Sequence, residues 1–179
     1  MTIINIMVIL GLDASTSTVG YAFNENNKII DAGFIDIKKL ESNKDKSFYV
    51  IDYLNKTNYI KNIEHIVLES ALSGFISGHT SQQTVIKLAR FNAVFEYILS
   101  DYYKINVTLA SATTLRKSVF GKSRIQGIKS KDFVKMMLED KYPYVKDFQV
   151  YNKKGTLDVR TGDVYDGIVC ALAFDNLKE

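Results

Sequence analysis

Four carboxylates in this chain stand where a charged side chain is hard to accommodate: Asp13, Glu69, Asp163 and Asp166. Asp13 closes the apolar run Ile9-Leu10-Gly11-Leu12, and Glu69 closes Ile66-Val67-Leu68. Asp163 and Asp166 open the last apolar segment, Gly162-Asp163-Val164-Tyr165-Asp166-Gly167-Ile168-Val169. A carboxylate at the margin of a core is costly unless it is paired, hydrogen-bonded or bound to a metal. Several that converge repel one another until a cation neutralises them. Hard oxygen donors in such a set suit Mg2+ or Mn2+. Two such ions are a standard device for in-line cleavage of a phosphodiester.

The surrounding pattern says which elements carry these groups. Met7 to Asp13 is a short β-branched apolar run and reads as a buried strand. Thr18 to Asn24 and Lys28 to Ile37 read as two more, joined by a turn at Asn26-Asn27, so the first three strands form an antiparallel meander. Lys38 to Lys46 reads as a polar loop, and Phe48 to Ile60 has helical spacing at Val50, Ile51 and Leu54. His65 to Ser70 is a fourth strand, parallel to the first because a helix precedes it. Thr80-Ser81-Gln82-Gln83 resembles a capping box and starts a long helix. Its apolar stripe runs through Leu88, Phe91, Phe95, Ile98 and Tyr102. Ile105 to Ala110 is the fifth strand, and Ser111 to Arg116 begins a short helix. Val119 to Lys129 is a basic loop, and Ser130 caps a helix whose inner face is Phe133, Val134, Met137 and Leu138. Tyr144 to Arg160 is polar and irregular. Asp163 to Leu177 is the closing helix. The longer elements thus run β-β-β-α-β-α-β-α-α, which predicts a mixed α/β sheet with helices on both faces. Sites in such sheets form at the carboxyl ends of parallel strands. Asp13 and Glu69 lie at strand ends, and the two aspartates three apart share a helix face.

At 179 residues the chain is read as a single domain, 1–179. Lys plus Arg is 23 against 20 for Asp plus Glu, a net charge of +3. If metal takes up the acidic set, the remainder is more basic still and favours a polyanionic partner. The single Cys170 excludes an internal disulfide and reads as a small core residue in a reducing compartment. The apolar stretch from Ile3 to Leu12 is too short to span a bilayer and has no basic leader before it. We therefore expect a cytoplasmic protein with no membrane partner. Heavy use of Ile, Lys and Asn points to an AT-rich genome, such as that of a phage or a small bacterium.

The chain resembles the ribonuclease H-like nucleases, and within them the RuvC-type Holliday junction resolvases. Three segments carry the resemblance. Leu10-Gly11-Leu12-Asp13-Ala14-Ser15-Thr16-Ser17-Thr18-Val19-Gly20-Tyr21-Ala22 is similar to that family's first strand, turn and second strand. Val67-Leu68-Glu69-Ser70 is similar to its second acidic segment. Asp163-Val164-Tyr165-Asp166-Gly167-Ile168-Val169-Cys170-Ala171-Leu172-Ala173 is similar to its final helix, with Gly167 in place of the usual alanine. The family commonly has glycine or proline after the first aspartate, where this chain has Ala14-Ser15. The resemblance implies a ribonuclease H-like mixed five-stranded sheet, three antiparallel strands then parallel ones. It also implies a metal-dependent, structure-selective DNA endonuclease that resolves four-way junctions by paired symmetric nicks. Asp13, Glu69, Asp163 and Asp166 would hold two Mg2+ or Mn2+ ions. One ion would activate water and the other would stabilise the departing 3′ oxygen, with Asp13 bridging both.

The same resemblance assigns secondary roles. Arg116 and Lys117 match a basic residue before a V-x-G turn. Lys129 matches a lysine before the next helix and is counted with the catalytic set; Lys131 is the alternative. These residues would grip phosphates near the cut, and Lys122 and Arg124 enlarge the patch. Phe75, between glycines and serines, would wedge into the junction centre, and His79 would contact phosphate or cap a helix. The long helix from Ser81 would form a homodimer, with Val94 and Tyr97 left over for the partner. Related nucleases that cut flaps, branched DNA or RNA precursors share the fold and the acidic set. Gly11-Leu12-Asp13-Ala14-Ser15-Thr16-Ser17 also resembles the phosphate-binding turn of actin-like ATPases. Those proteins need two such domains, and the paired aspartates of the last helix have no role in them.

Overall fold

The computed structural model describes residues 7–70 and 82–177. Strands β1 (Val8–Ala14), β2 (Thr18–Glu25) and β3 (Lys28–Asp36) come first, then helix α1 (Asn43–Leu54), strand β4 (Ile63–Glu69), helix α2 (Gln82–Tyr103) and strand β5 (Val107–Ala110). Three helices follow: α3 (Ala112–Phe120), α4 (Ser130–Lys141) and α5 (Thr161–Ala173). The sheet order is β3-β2-β1-β4-β5. β1 is antiparallel to β2 and β2 to β3, whereas β1 with β4 and β4 with β5 are parallel. This is the mixed five-stranded sheet that the sequence predicts. Asn26 and Asn27 both have positive φ, 50° and 63°, and join β2 to β3 as a two-residue hairpin.

Strand alternation divides the core in two. Val8, Leu10 and Leu12 of β1 face α1 and α2, together with Ile66 and Leu68 of β4. Ile9 of β1 and Val67 of β4 face α5, with α3 and α4 packed beside it. Helices therefore cover both faces, as expected. Among the described residues no helix is long and apolar enough to cross a membrane.

Several boundaries differ from the sequence reading. α1 begins at Asn43 rather than Phe48, because the Ser42 hydroxyl accepts from the Asp45 amide at 3.0 Å and caps a polar first turn. The buried seam of α2 is Val85, Phe91, Asn92, Phe95 and Leu99; Tyr102 is instead half exposed. Residues 80 and 81 of the expected capping box lie outside the described residues. α3 runs on to Phe120 and stops at Gly121, whose φ of 74° is left-handed. Lys129, not Ser130, is the N-cap of α4. α5 starts at Thr161, two residues before Asp163, and gives way at Phe174 to a tighter 3-10 turn. The segment read as irregular contains a 3-10 turn at Pro143–Phe148 and a small hairpin bridged between Tyr151 and Leu157.

Candidate functional site

Asp13 alternates with Gly11 and Ile9, so its side chain points to the α5 face near the carboxyl end of β1. Glu69 alternates with Val67 and points the same way from the end of β4. The two strands are adjacent and parallel, with Leu12 paired to Leu68. The two carboxylates are therefore neighbours by register alone.

Glycine brings the helix to them. A β-carbon on Gly20 would lie 1.9 Å from the Asp163 carbonyl oxygen, and one on Gly11 2.2 Å from the Ala171 amide nitrogen. α5 thus rests backbone on backbone against β1 and β2, a spacing that any side chain would prevent. Gly20 is the cross-strand partner of Asp13. The first turn of α5, with Asp163 and Asp166, is set down beside that aspartate. Gly167 completes the contact: its β-carbon would come within 2.9 Å of the Gly20 backbone. A methyl group at position 167 would have to displace that backbone.

Two cations enter the acidic group from α3 and α4. The Arg116 guanidinium lies 3.4 Å from Asp166, with both side chains largely buried, and also donates to the Ser130 hydroxyl. The Lys131 ammonium donates to Asp163 at 2.7 Å. Burial raises the Asp13 carboxyl well above its ordinary value, and the charges of Glu69, Asp166 and Asp163 raise it further against the pull of Lys131. Glu69 is pushed up to about 7 by burial first and Asp166 second, opposed by Arg116 and Lys131. Asp166 is raised by burial against the same two cations. The fully buried Cys170 thiol is pushed up by burial and then by Glu69, Asp13 and Asp166, so it stays protonated and inert. It is the core residue the sequence predicts.

The carboxylates are close enough to perturb one another. As the side chains stand, however, no three Asp, Glu, His or Cys groups among the described residues could hold one ion. Asp163 and Asp166 are engaged by Lys131 and Arg116 instead. The donor set still fits a divalent cation. All four groups are hard oxygen donors, and the burial and mutual repulsion that raise Asp13 and Glu69 are what a divalent charge would relieve.

The basic residues separate. Arg116 and Lys131 join the acidic group, whereas Lys129 is exposed at the start of α4 and forms no ion pair among the described residues. The place beside the carboxylates that Lys129 was expected to take belongs to Lys131. Lys117, Lys122 and Arg124 are exposed on the same side of the sheet as α3 and α4. Phe75 and His79 lie outside the described residues. His65 meets Thr108 at 2.8 Å and packs its ring, tilted, against Phe174, a structural role.

Two supporting residues escaped the sequence reading. Asn92 of α2 is buried and donates to the Glu69 carbonyl at 3.0 Å, holding the end of β4. The signal for it was a polar residue next to Phe91 in an otherwise apolar seam. Lys46 of α1 donates to the Thr16 carbonyl at 2.6 Å and braces the turn after Asp13. Nothing local marked it.

No protein-family model matches the sequence, and no curated protein is detectably similar to it. Solved structures are similar. RuvC of Thermus thermophilus aligns with a TM-score of 0.62 at 10% identity, over 96% of this chain and 97% of that one. T. thermophilus RuvC in complex with a Holliday junction substrate gives a TM-score of 0.64 at 10% identity, over 96% and 94%. The yeast mitochondrial Holliday junction resolvase Ydc2 gives 0.55 at 13% identity, over 93% of this chain and 76% of that one. The likeness establishes the fold. This chain has the ribonuclease H-like architecture of RuvC over nearly its whole length.

Proposed function

We propose that this protein is a metal-dependent, structure-selective DNA endonuclease that resolves four-way junctions by paired symmetric nicks. One observation carries the reading. Asp13 and Glu69, at the ends of adjacent parallel strands, meet Asp163 and Asp166 of α5 within one electrostatically linked group. That group sits in a fold shared with a protein solved on a Holliday junction.

In this reading Asp13, Glu69, Asp163 and Asp166 hold two Mg2+ or Mn2+ ions. When bound, the ions lower the pKa of the attacking water and neutralise charge on the phosphate. The chain's own residues do the rest. Lys131 pairs with Asp163 and Arg116 with Asp166. Their role in this reading would be to hold phosphate oxygens of the strand beside the acidic group. Lys117, Lys122, Lys129 and Arg124 extend the positive surface along α3, the basic loop and the start of α4. The protein acts as a homodimer, because a junction with near two-fold symmetry needs two related sites for two symmetric cuts.

The test is cleavage in Mg2+ of a four-way DNA junction, a flap, linear duplex DNA and an RNA hairpin, with Asp13→Asn and Asp163→Asn alongside. Paired symmetric nicks on the junction are expected, with a loss beyond about 100-fold in each variant, since even outer-shell partners of a metal are worth 10- to 100-fold. Cutting of the flap or the RNA with the junction left intact would discard the resolvase assignment and keep a nuclease. Absence of metal-dependent cleavage on every substrate would refute the proposal.

A further inference from the structure

On the opposite face of the sheet from α5, the turn between β1 and β2 meets the N-terminal ends of α1 and α2 around a second feature. It is a cavity of about 440 Å³ lined by Thr16, Glu41, Asn43, Lys46, Lys87 and Arg90. That volume falls within the range of about 300–1,000 Å³ typical of ligand sites. Three cations face one carboxylate there. Lys46 is the built part: the residue is 9% exposed, its ammonium donates to the Thr16 carbonyl at 2.6 Å and lies 5.9 Å from the Phe91 ring centroid. An ammonium has three protons to donate, and the carbonyl takes one. Lys87 and Arg90 are three apart on α2 and so share a face. Both are exposed, and among the described residues neither is ion-paired. Like charges at this spacing are mildly destabilising, so their arrangement does not serve the helix. The capped first turn of α1, to which Asn43 belongs, adds the positive end of its dipole.

The location ties this cavity to the acidic group. Thr16 is three residues beyond Asp13, so the two lie within about 11 Å even at full extension. One DNA strand advances about 3.4 Å per nucleotide, which places the Thr16 edge of the cavity roughly three nucleotides from a phosphate bound at Asp13. The turn between them is braced by Ser15, whose hydroxyl donates to the Thr18 carbonyl and accepts from the Thr18 amide, each at 2.9 Å.

We propose that Lys46, Lys87 and Arg90 form a binding pocket for a backbone phosphate of the DNA strand flanking the cut. The pocket positions the strand and takes no part in the chemistry. The proposal rests on the nuclease reading above. Lys46 anchors the phosphate from below through its free protons, and Lys87 and Arg90 close on it from α2. A strand crossing the ends of the sheet is then gripped on one side by Arg116 and Lys131 and on the other by this pocket.

The test measures binding of a four-way junction by fluorescence anisotropy across a salt series, without divalent metal. The Lys87→Ala/Arg90→Ala double variant is compared with Lys56→Ala/Lys61→Ala, which removes equal charge at the opposite end of the sheet. Both pairs are exposed, and circular dichroism melts check that the fold is retained. The pocket variant is expected to bind about tenfold more weakly and to lose about one unit of salt slope. Equal losses in the two variants would reduce the effect to bulk charge and overturn the pocket, as would wild-type binding in Lys87→Ala/Arg90→Ala. Either result leaves the nuclease reading standing. A wild type that binds no DNA would instead overturn both.

Discussion

Glu69 shows how one residue's environment becomes a property of the protein. Burial, with Asp166 next in effect, lifts its carboxyl from an ordinary 4.5 to about 7. Between those values the folded chain keeps a proton that the unfolded chain has released. Metal-free stability must therefore fall as pH rises from about 4.5 to about 7, by on the order of 3 kcal/mol for this group. Asp13 and Asp166 shift in the same direction and add to the effect. Glu69→Gln should raise the metal-free Tm at pH 8 and flatten its pH dependence, as read by thermal melts. Mg2+ binds only the folded state and should raise the wild-type Tm more at pH 8 than at pH 5. A wild-type Tm independent of pH across this window would show that Glu69 is not held in the environment described.

At the scale of elements, the site depends on how closely α5 meets the sheet. Gly20→Ala would drive a methyl group into the Asp163 carbonyl. The helix would have to lift, at a loss of about 3 kcal/mol or more, with Asp163 carried away from Asp13. Gly121→Ala is the control: its φ is 74°, but nothing lies within 4 Å, so the only loss is the roughly 1 kcal/mol of stability set by the backbone strain that alanine adds. Urea unfolding measures both, and equal losses would contradict the close docking. The start of α1 makes a smaller claim. Ser42→Ala removes the hydroxyl that accepts from Asp45 and should cost about 1 kcal/mol by the same measurement.

For the whole molecule, the question is what covers the outer face of α2. Phe48, Val94, Tyr97, Ile98 and Tyr102 line an apolar groove of about 550 Å³ between α1 and α2, flanked by Lys44 and Asp101. Tyr97 is 72% exposed, and Tyr102 50%. Val94 and Tyr97 are the residues that the apolar stripe left over for a partner. Two copies meeting through this groove would hold two acidic sites in one assembly, and a stable pairing buries about 800 Å² on each side. Light scattering is expected to give a dimer for the wild type and a folded monomer for Tyr97→Asp/Ile98→Asp. That monomer should nick a junction without the paired symmetry. A monomeric wild type would remove the dimer from the proposed mechanism.

Short-range pattern controls what can be read along the chain. Apolar runs and their alternation defined five strands, and Asp13 and Glu69 fell at strand ends because a carboxylate closes an apolar run. The i, i+3 spacing put Asp163 and Asp166 on one face. The tertiary structure decided what depends on how elements turn toward one another. A helix rotates about 100° per residue, so the two-residue difference between Lys129 and Lys131 selects which ammonium reaches Asp163. The same rotation moved the buried seam of α2 onto Val85 and Leu99 and gave Asn92 the Glu69 carbonyl. Gly20 carried no local sign of its task, since the space it leaves is filled by a helix more than 140 residues away in sequence. Lys46 reads as one more surface lysine until α1 folds it against Thr16. Local pattern specifies elements and the ends at which charge sits. Only packing brings those ends together, because partners distant in the chain leave no periodic trace.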